Sequence, residues 1–118
     1  MGSGIMNKRG SSKIVKISKT LVNKIEADPV FRARIAKLKS TPIVRTYDIP
    51  YLAGYSKDGK KVYIDRHLNT KMGGVDLSQF LKIHEVVEKC MLDEFGMDYQ
   101  QAHHVATHFE RQAVDKAG

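Results

Sequence analysis

A chain of 118 residues with a formal net charge of +7, 42% hydrophobic and 28% charged, has the size and composition of one small soluble domain. Its apolar runs are far shorter than the roughly 20 residues a transmembrane helix needs, and its basic N-terminus lacks the apolar stretch of a secretory signal. With Cys90 alone no disulfide framework can form, so a cytoplasmic protein without a membrane partner is expected.

Residues 1–12, rich in Gly, Ser and Lys with little to bury, are expected to form a disordered basic tail, leaving residues 13–118 as a single domain. The charge is uneven. Residues 1–40 carry ten Lys/Arg and two acids, a balance of +8, whereas residues 41–118 carry ten Lys/Arg and eleven acids, a balance of −1. A basic first third is suited to a weak nucleic-acid contact through phosphates, although no aromatic residue interleaves with the early lysines to stack on bases. The plainer reading of the same residues is a solvated helix face.

From Ile14 to Lys39 the pattern is helical but interrupted. Leu21, Val22 and Ile25 make one apolar face, and Val30, Phe31, Ile35 and Leu38 the next. Between them Asp28 is placed to cap a new helix with Pro29 at its first position. After Thr41-Pro42, the segments Ile43–Tyr47, Tyr51–Tyr55 and Lys61–Asp65 read as strands, and Lys57-Asp58-Gly59-Lys60 as a tight hairpin turn. A small antiparallel sheet is expected, followed by a loop over residues 68–74. Asp76 and Gln79 have capping-box spacing at the head of a helix that runs to Phe95 and stops at Gly96. Asp98 and Gln101 repeat that spacing before a last helix to about Asp115. The fold class is therefore α+β: N-terminal helices, a small sheet, then two antiparallel helices.

Chemistry concentrates in Ile83-His84-Glu85-Val86-Val87-Glu88. His84 and Glu88, four residues apart on a helix, lie on one face close enough to chelate an ion. Their neighbours on that face are Phe80, Val87, Met91 and Phe95, so the pair points inward. There it must be satisfied by mutual hydrogen bonding or by a metal, and zinc accepts both ligand types. Glu85 stands beside such an ion, where a carboxylate can take a proton from water; its plainer role is pairing with Lys82 or Lys89. In the last helix, Tyr99, Ala102, His103, Ala106, Glu110 and Ala113 share one mostly small or apolar stripe, while His104, His108, Arg111 and Asp115 share the polar one. This makes His103 the inward histidine and the third ligand candidate, with Glu110 as a supporting carboxylate or extra ligand. Cys90 reads as a small buried hydrophobe, Tyr99 as packing between the helices, and Asp65 with Arg66 as a structural ion pair.

His84-Glu85-x-x-Glu88 resembles the HExxH helix of zincin metallopeptidases, as an HExxE variant. Tyr99-x-x-Ala102-His103-x-x-Ala106 followed by Glu110, together with Tyr63-Ile64-Asp65-Arg66-His67, is similar to segments of small zincin-like proteins of phages and prophages. The resemblance spans roughly residues 50–114. It implies zinc held by His84, Glu88 and His103, Glu85 as general base, Asp65, Tyr99 and Glu110 nearby, and a peptide or protein substrate lying along Val62–Asp65. It also admits a virion-associated location. Two other classes stay open: a non-catalytic zincin-like binding protein of a phage or mobile element with a structural metal, and a basic nucleic-acid-binding accessory protein. Oligomeric state is left open.

Overall fold

In a computed structural model that describes residues 17–117, Ser18 opens the first helix, α1 (Lys19–Ala27), by accepting a hydrogen bond from the Leu21 N–H at 3.1 Å. The expected tail over residues 1–12 lies outside the described residues. Asp28 ends α1 in extended backbone and caps α2 (Pro29–Ala36), its carboxylate accepting from the Phe31 N–H at 2.9 Å. Pro29 sits in the first helical turn, where a missing N–H costs nothing. Val22, Ile25 and Phe31 turn into the core, but Val30 is exposed, because it lies a quarter-turn round the helix from Phe31. A 3₁₀ turn (Leu38–Ser40) leads to the sheet.

The sheet has three short strands, β1 (Ile43–Val44), β2 (Ala53–Tyr55) and β3 (Val62–Ile64), in the order β1-β3-β2. It is mixed rather than wholly antiparallel. β2 and β3 form the expected hairpin, with Gly59 at φ 72° in its turn. That hairpin lays β3 between β2 and β1, so β1 pairs with β3 in parallel, Ile43 opposite Val62. The connection from β1 to β2 crosses the sheet end and is pinned there. Asp65 Oδ1 accepts from the Ile49 N–H at 3.0 Å, the Asp65 N–H donates to the Leu52 carbonyl at 3.1 Å, and the Arg66 N–H donates to the Tyr47 carbonyl at 3.1 Å.

The segment expected as a loop over 68–74 instead holds a two-stranded hairpin, β4 (Lys71–Met72) and β5 (Val75–Asp76), turning on Gly73 and Gly74, both at positive φ. Because β5 runs through Asp76, helix α3 (Ser78–Glu94) begins later than the capping-box spacing suggests. Asp76 accepts from the Ser78 N–H at 3.0 Å and its hydroxyl at 2.7 Å, and Leu77 occupies the cap position without a side-chain bond. Gly96 at φ 62° ends the helix, and Asp98 caps α4 (Tyr99–Ala117) through the Gln101 N–H at 2.8 Å. The short turn makes α3 and α4 an antiparallel pair.

Helix α3 is the central element. Val87, Cys90 and Met91 pack with Ala102, Val105, Ala106 and Phe109 of α4 and with Val22, Ile25 and Phe31. Val86 packs instead on Val62 and Ile64 of the sheet. A helix covered on nearly all sides is normally apolar all round, yet α3 also buries Lys82, His84, Glu85 and Glu88.

Candidate functional site

Each polar group buried on α3 needs a partner, since burying one without a compensating bond costs several kcal/mol in an apolar setting. Lys82 donates to the Thr41 carbonyl at 3.2 Å and ties the helix to the end of the 3₁₀ turn; its burial lowers the ammonium pKa. His84 and Glu88, one turn apart, meet His103 from α4. His84 Nε2 lies 3.2 Å from His103 Nδ1 and 3.4 Å from Glu88 Oε2, and His103 Nδ1 lies 3.1 Å from Glu88 Oε2. Two ring nitrogens and a carboxylate oxygen thus converge on one point. Where two of these atoms act as acceptors, a proton or a metal ion must lie between them, and among the described residues this is a group that could hold a metal ion.

The second nitrogen of His84, Nδ1, lies 2.8 Å from Glu110 Oε1 two turns along α4 from His103. With Nδ1–H donating to that carboxylate, Nε2 is the nitrogen that faces the cluster. Small residues make the approach possible: Ala102 and Ala106 of α4 are fully buried against α3. The His103 ring stands edge-on to His84 at 4.8 Å and is stacked with Tyr99 at 5.9 Å.

The electrostatics follow from burial among carboxylates. Burial alone would depress the His84 pKa, but hydrogen bonds to Glu110 and Glu88 and the charge of Glu85 overcome it and raise the pKa to about 9. Glu88 is also desolvated, yet bonds from His103 and His84 hold it below the usual carboxylate range. Glu85 differs. It is 7% exposed, makes no hydrogen bond or ion pair among the described residues, and its pKa is pushed up to about 7 by burial, with Glu88 and Glu110 reinforcing the shift against His84. The lysines that might have paired with it are engaged elsewhere, Lys82 at Thr41 and Lys89 with Asp93 at 3.2 Å.

A cavity of about 780 Å³ opens over this cluster. His84, Glu85, Glu88, Tyr99, His103 and Glu110 form its helical wall, and Ile49 to Tyr55 the opposite one. Tyr55, at the end of β2, has its phenol raised above its ordinary pKa by burial and by the charges of Glu88 and Glu85, so it keeps its proton. Tyr51 and Leu52 are exposed although apolar, Leu52 at 66%. Tyr55 and the loop from Ile49 are the wall that sequence reasoning missed. The alternation of the second strand carried the signal, since Ala53 and Tyr55 share one side.

Asp65 borders the cavity but does not join the cluster, because its two oxygens accept from the Ile49 and His67 N–H groups. Nor does it pair with Arg66, which turns to Asp48 at 2.7 Å. Val62–Asp65 is not an open strand, because β3 lies between β1 and β2; the strand bordering the cavity is β2. His104 and His108 are half-buried rather than solvated, His108 standing edge-on to Phe109 at 5.2 Å. Cys90 is buried, which raises its thiol to about 11 and keeps it unreactive. No described helix is long and apolar enough to cross a membrane. The chain matches no known protein-family model, no curated protein and no solved structure.

Proposed function

We propose that this chain is a zinc-dependent hydrolase, a minimal zincin-like metallopeptidase in which His84, Glu88 and His103 hold the ion and Glu85 is the general base. The triangle of donor atoms carries this reading. A tetrahedral zinc with bonds of about 2.0–2.1 Å keeps neighbouring donors about 3.3 Å apart, and the three distances here are 3.1, 3.2 and 3.4 Å. Three protein donors leave one position open, as catalytic zinc sites do and closed structural sites do not. Glu110 on the far nitrogen of His84 supplies the carboxylate that orients a histidine ligand.

Bound there, zinc would polarise a substrate carbonyl and make a water acidic enough to attack near neutral pH. The remaining work falls to the chain. Glu85, unpaired and with its pKa at about 7, is suited to accept the proton of the attacking water and to deliver it to the amine nitrogen as the C–N bond breaks. Tyr55 offers a protonated hydroxyl on the facing wall. The outer edge of β2, unpaired among the described strands, is suited to align an extended peptide, and Ile49–Leu52 gives its side chains an apolar wall.

A second reading rests on one observation. His84 already lies between Glu110 and Glu88, so the network is satisfied without a metal and would serve a non-catalytic protein on the same scaffold. Cleavage of a fluorogenic peptide library by zinc-loaded protein separates the two. We expect cleavage by the wild type and a loss of 100-fold or more in Glu85→Gln, with one zinc per chain in both. Equal cleavage by the two proteins removes Glu85 as the base. A wild type that neither cleaves nor binds zinc favours the metal-free network.

A further inference from the structure

We infer that the outward surface of α1, α2 and the 3₁₀ turn is a docking site for double-stranded nucleic acid, held through its phosphates. Lys19, Lys24, Arg32, Lys37 and Lys39 are all exposed on this short stretch, and none of their side chains makes an ion pair or hydrogen bond among the described residues. Arg34 is the contrast, spent on Asp93 at 3.8 Å. Of the two acids in the same stretch, Asp28 is occupied in capping α2, which leaves Glu26 as the only other carboxylate. Five exposed cations against one free carboxylate in the same stretch make a local excess of positive charge that the remainder of the chain, with a balance of −1 over residues 41–118, does not offset.

The identity of the polyanion follows from what the surface lacks. Insertion into an anionic membrane requires a free apolar helix face, and here Val22, Ile25 and Phe31 are already buried against α3 and α4. Binding of single strands relies on aromatic platforms, and the one aromatic residue of this stretch, Phe31, is 5.2 Å from Phe109 in the core. Lysine and arginine without apolar or aromatic support read the regular phosphate rows of a duplex, with no base specificity. The surface is also separate from the cleft, since no residue between 17 and 40 borders the cavity. Duplex binding is therefore independent of the metal cluster and of the activity proposed for it.

The test is fluorescence anisotropy of a short labelled DNA duplex titrated with the full chain at several salt concentrations. Five phosphate contacts give a slope of about −4.5 in log affinity against log salt, so affinity falls about 500-fold or more between roughly 50 and 200 mM. Neutralising three of the cations together, as Lys19→Gln, Lys24→Gln and Lys37→Gln, reduces the slope by about 2.7. The matched triple Lys57→Gln, Lys60→Gln and Lys61→Gln, exposed around the sheet hairpin, leaves it unchanged. Circular dichroism verifies folding, and Arg32→Gln alone, with a change of about 0.9, serves if the triple unfolds. The inference is overturned by absence of duplex binding at low salt, by equal effects of the two triples, or by binding to anionic lipid vesicles in preference to the duplex.

Discussion

Glu110 lets the architecture of the cluster be tested without removing any proposed ligand. Its Oε1 sits 2.8 Å from His84 Nδ1, on the side of the ring away from the donor triangle. If its task is to orient His84, Glu110→Gln keeps an acceptor in place and loses only the charge on the bond. A bond to a charged group is worth about 1.5–3 kcal/mol and a neutral one about 0.5–1.5, so the substitution removes roughly 1–1.5 kcal/mol, or about tenfold in zinc affinity. Glu110→Leu removes the acceptor altogether and leaves the Nδ1–H unsatisfied. The side chain is 31% exposed, so water partly replaces it, and the loss is bounded at about 100-fold. Competition with a chromophoric chelator measures both values. Unchanged affinity in Glu110→Leu would refute the orienting role, and a loss in Glu110→Gln far beyond 100-fold would make Glu110 a ligand itself.

Two further outcomes concern stability. In metal-free protein the Glu85 carboxyl, pushed from 4.5 up to about 7 chiefly by burial, binds its proton more tightly folded than unfolded. Its stabilising contribution is thus complete below pH 4.5 and is lost as pH rises through 7. Glu85→Gln, which imitates the protonated form, is expected to exceed the wild type at about pH 8 by on the order of 3 kcal/mol, the gap closing below about pH 5; urea titrations showing a gap independent of pH would contradict this. Asp28→Ala removes the cap of α2 and is expected to cost about 1 kcal/mol, lowering the midpoint of thermal unfolding by about 4 °C.

Local chemistry made most of the fold legible. Asp28-Pro29, Gly59, Gly96 and Asp98 each act within four residues of themselves, and each sits where its chemistry puts it, dividing the first helices, turning the hairpin, ending α3 and starting α4. The misreadings come from long-range competition. Asp76 has the right spacing for a cap, but pairing with Lys71 keeps it in a strand. The parallel pairing of β1 depends on where the later hairpin inserts, which short-range patterns do not encode. At the site, helical periodicity brought His84, Glu88, His103 and Glu110 to one locus because both helices are long and regular. The loop from Ile49 to Leu52 escaped notice because tertiary hydrogen bonds to Asp65 set its position, and Tyr55 because strand pairing with Val62 does not say which helix its strand faces.

Zinc stoichiometry tests the central claim most directly. Protein stripped with chelator and reloaded is expected to hold one zinc per chain, and His84→Ala, Glu88→Ala and His103→Ala are each expected to lose it, while His104→Ala and His108→Ala retain it. A wild type without stoichiometric zinc, or three cluster variants with undiminished content, would contradict a metal centre at the meeting of α3 and α4.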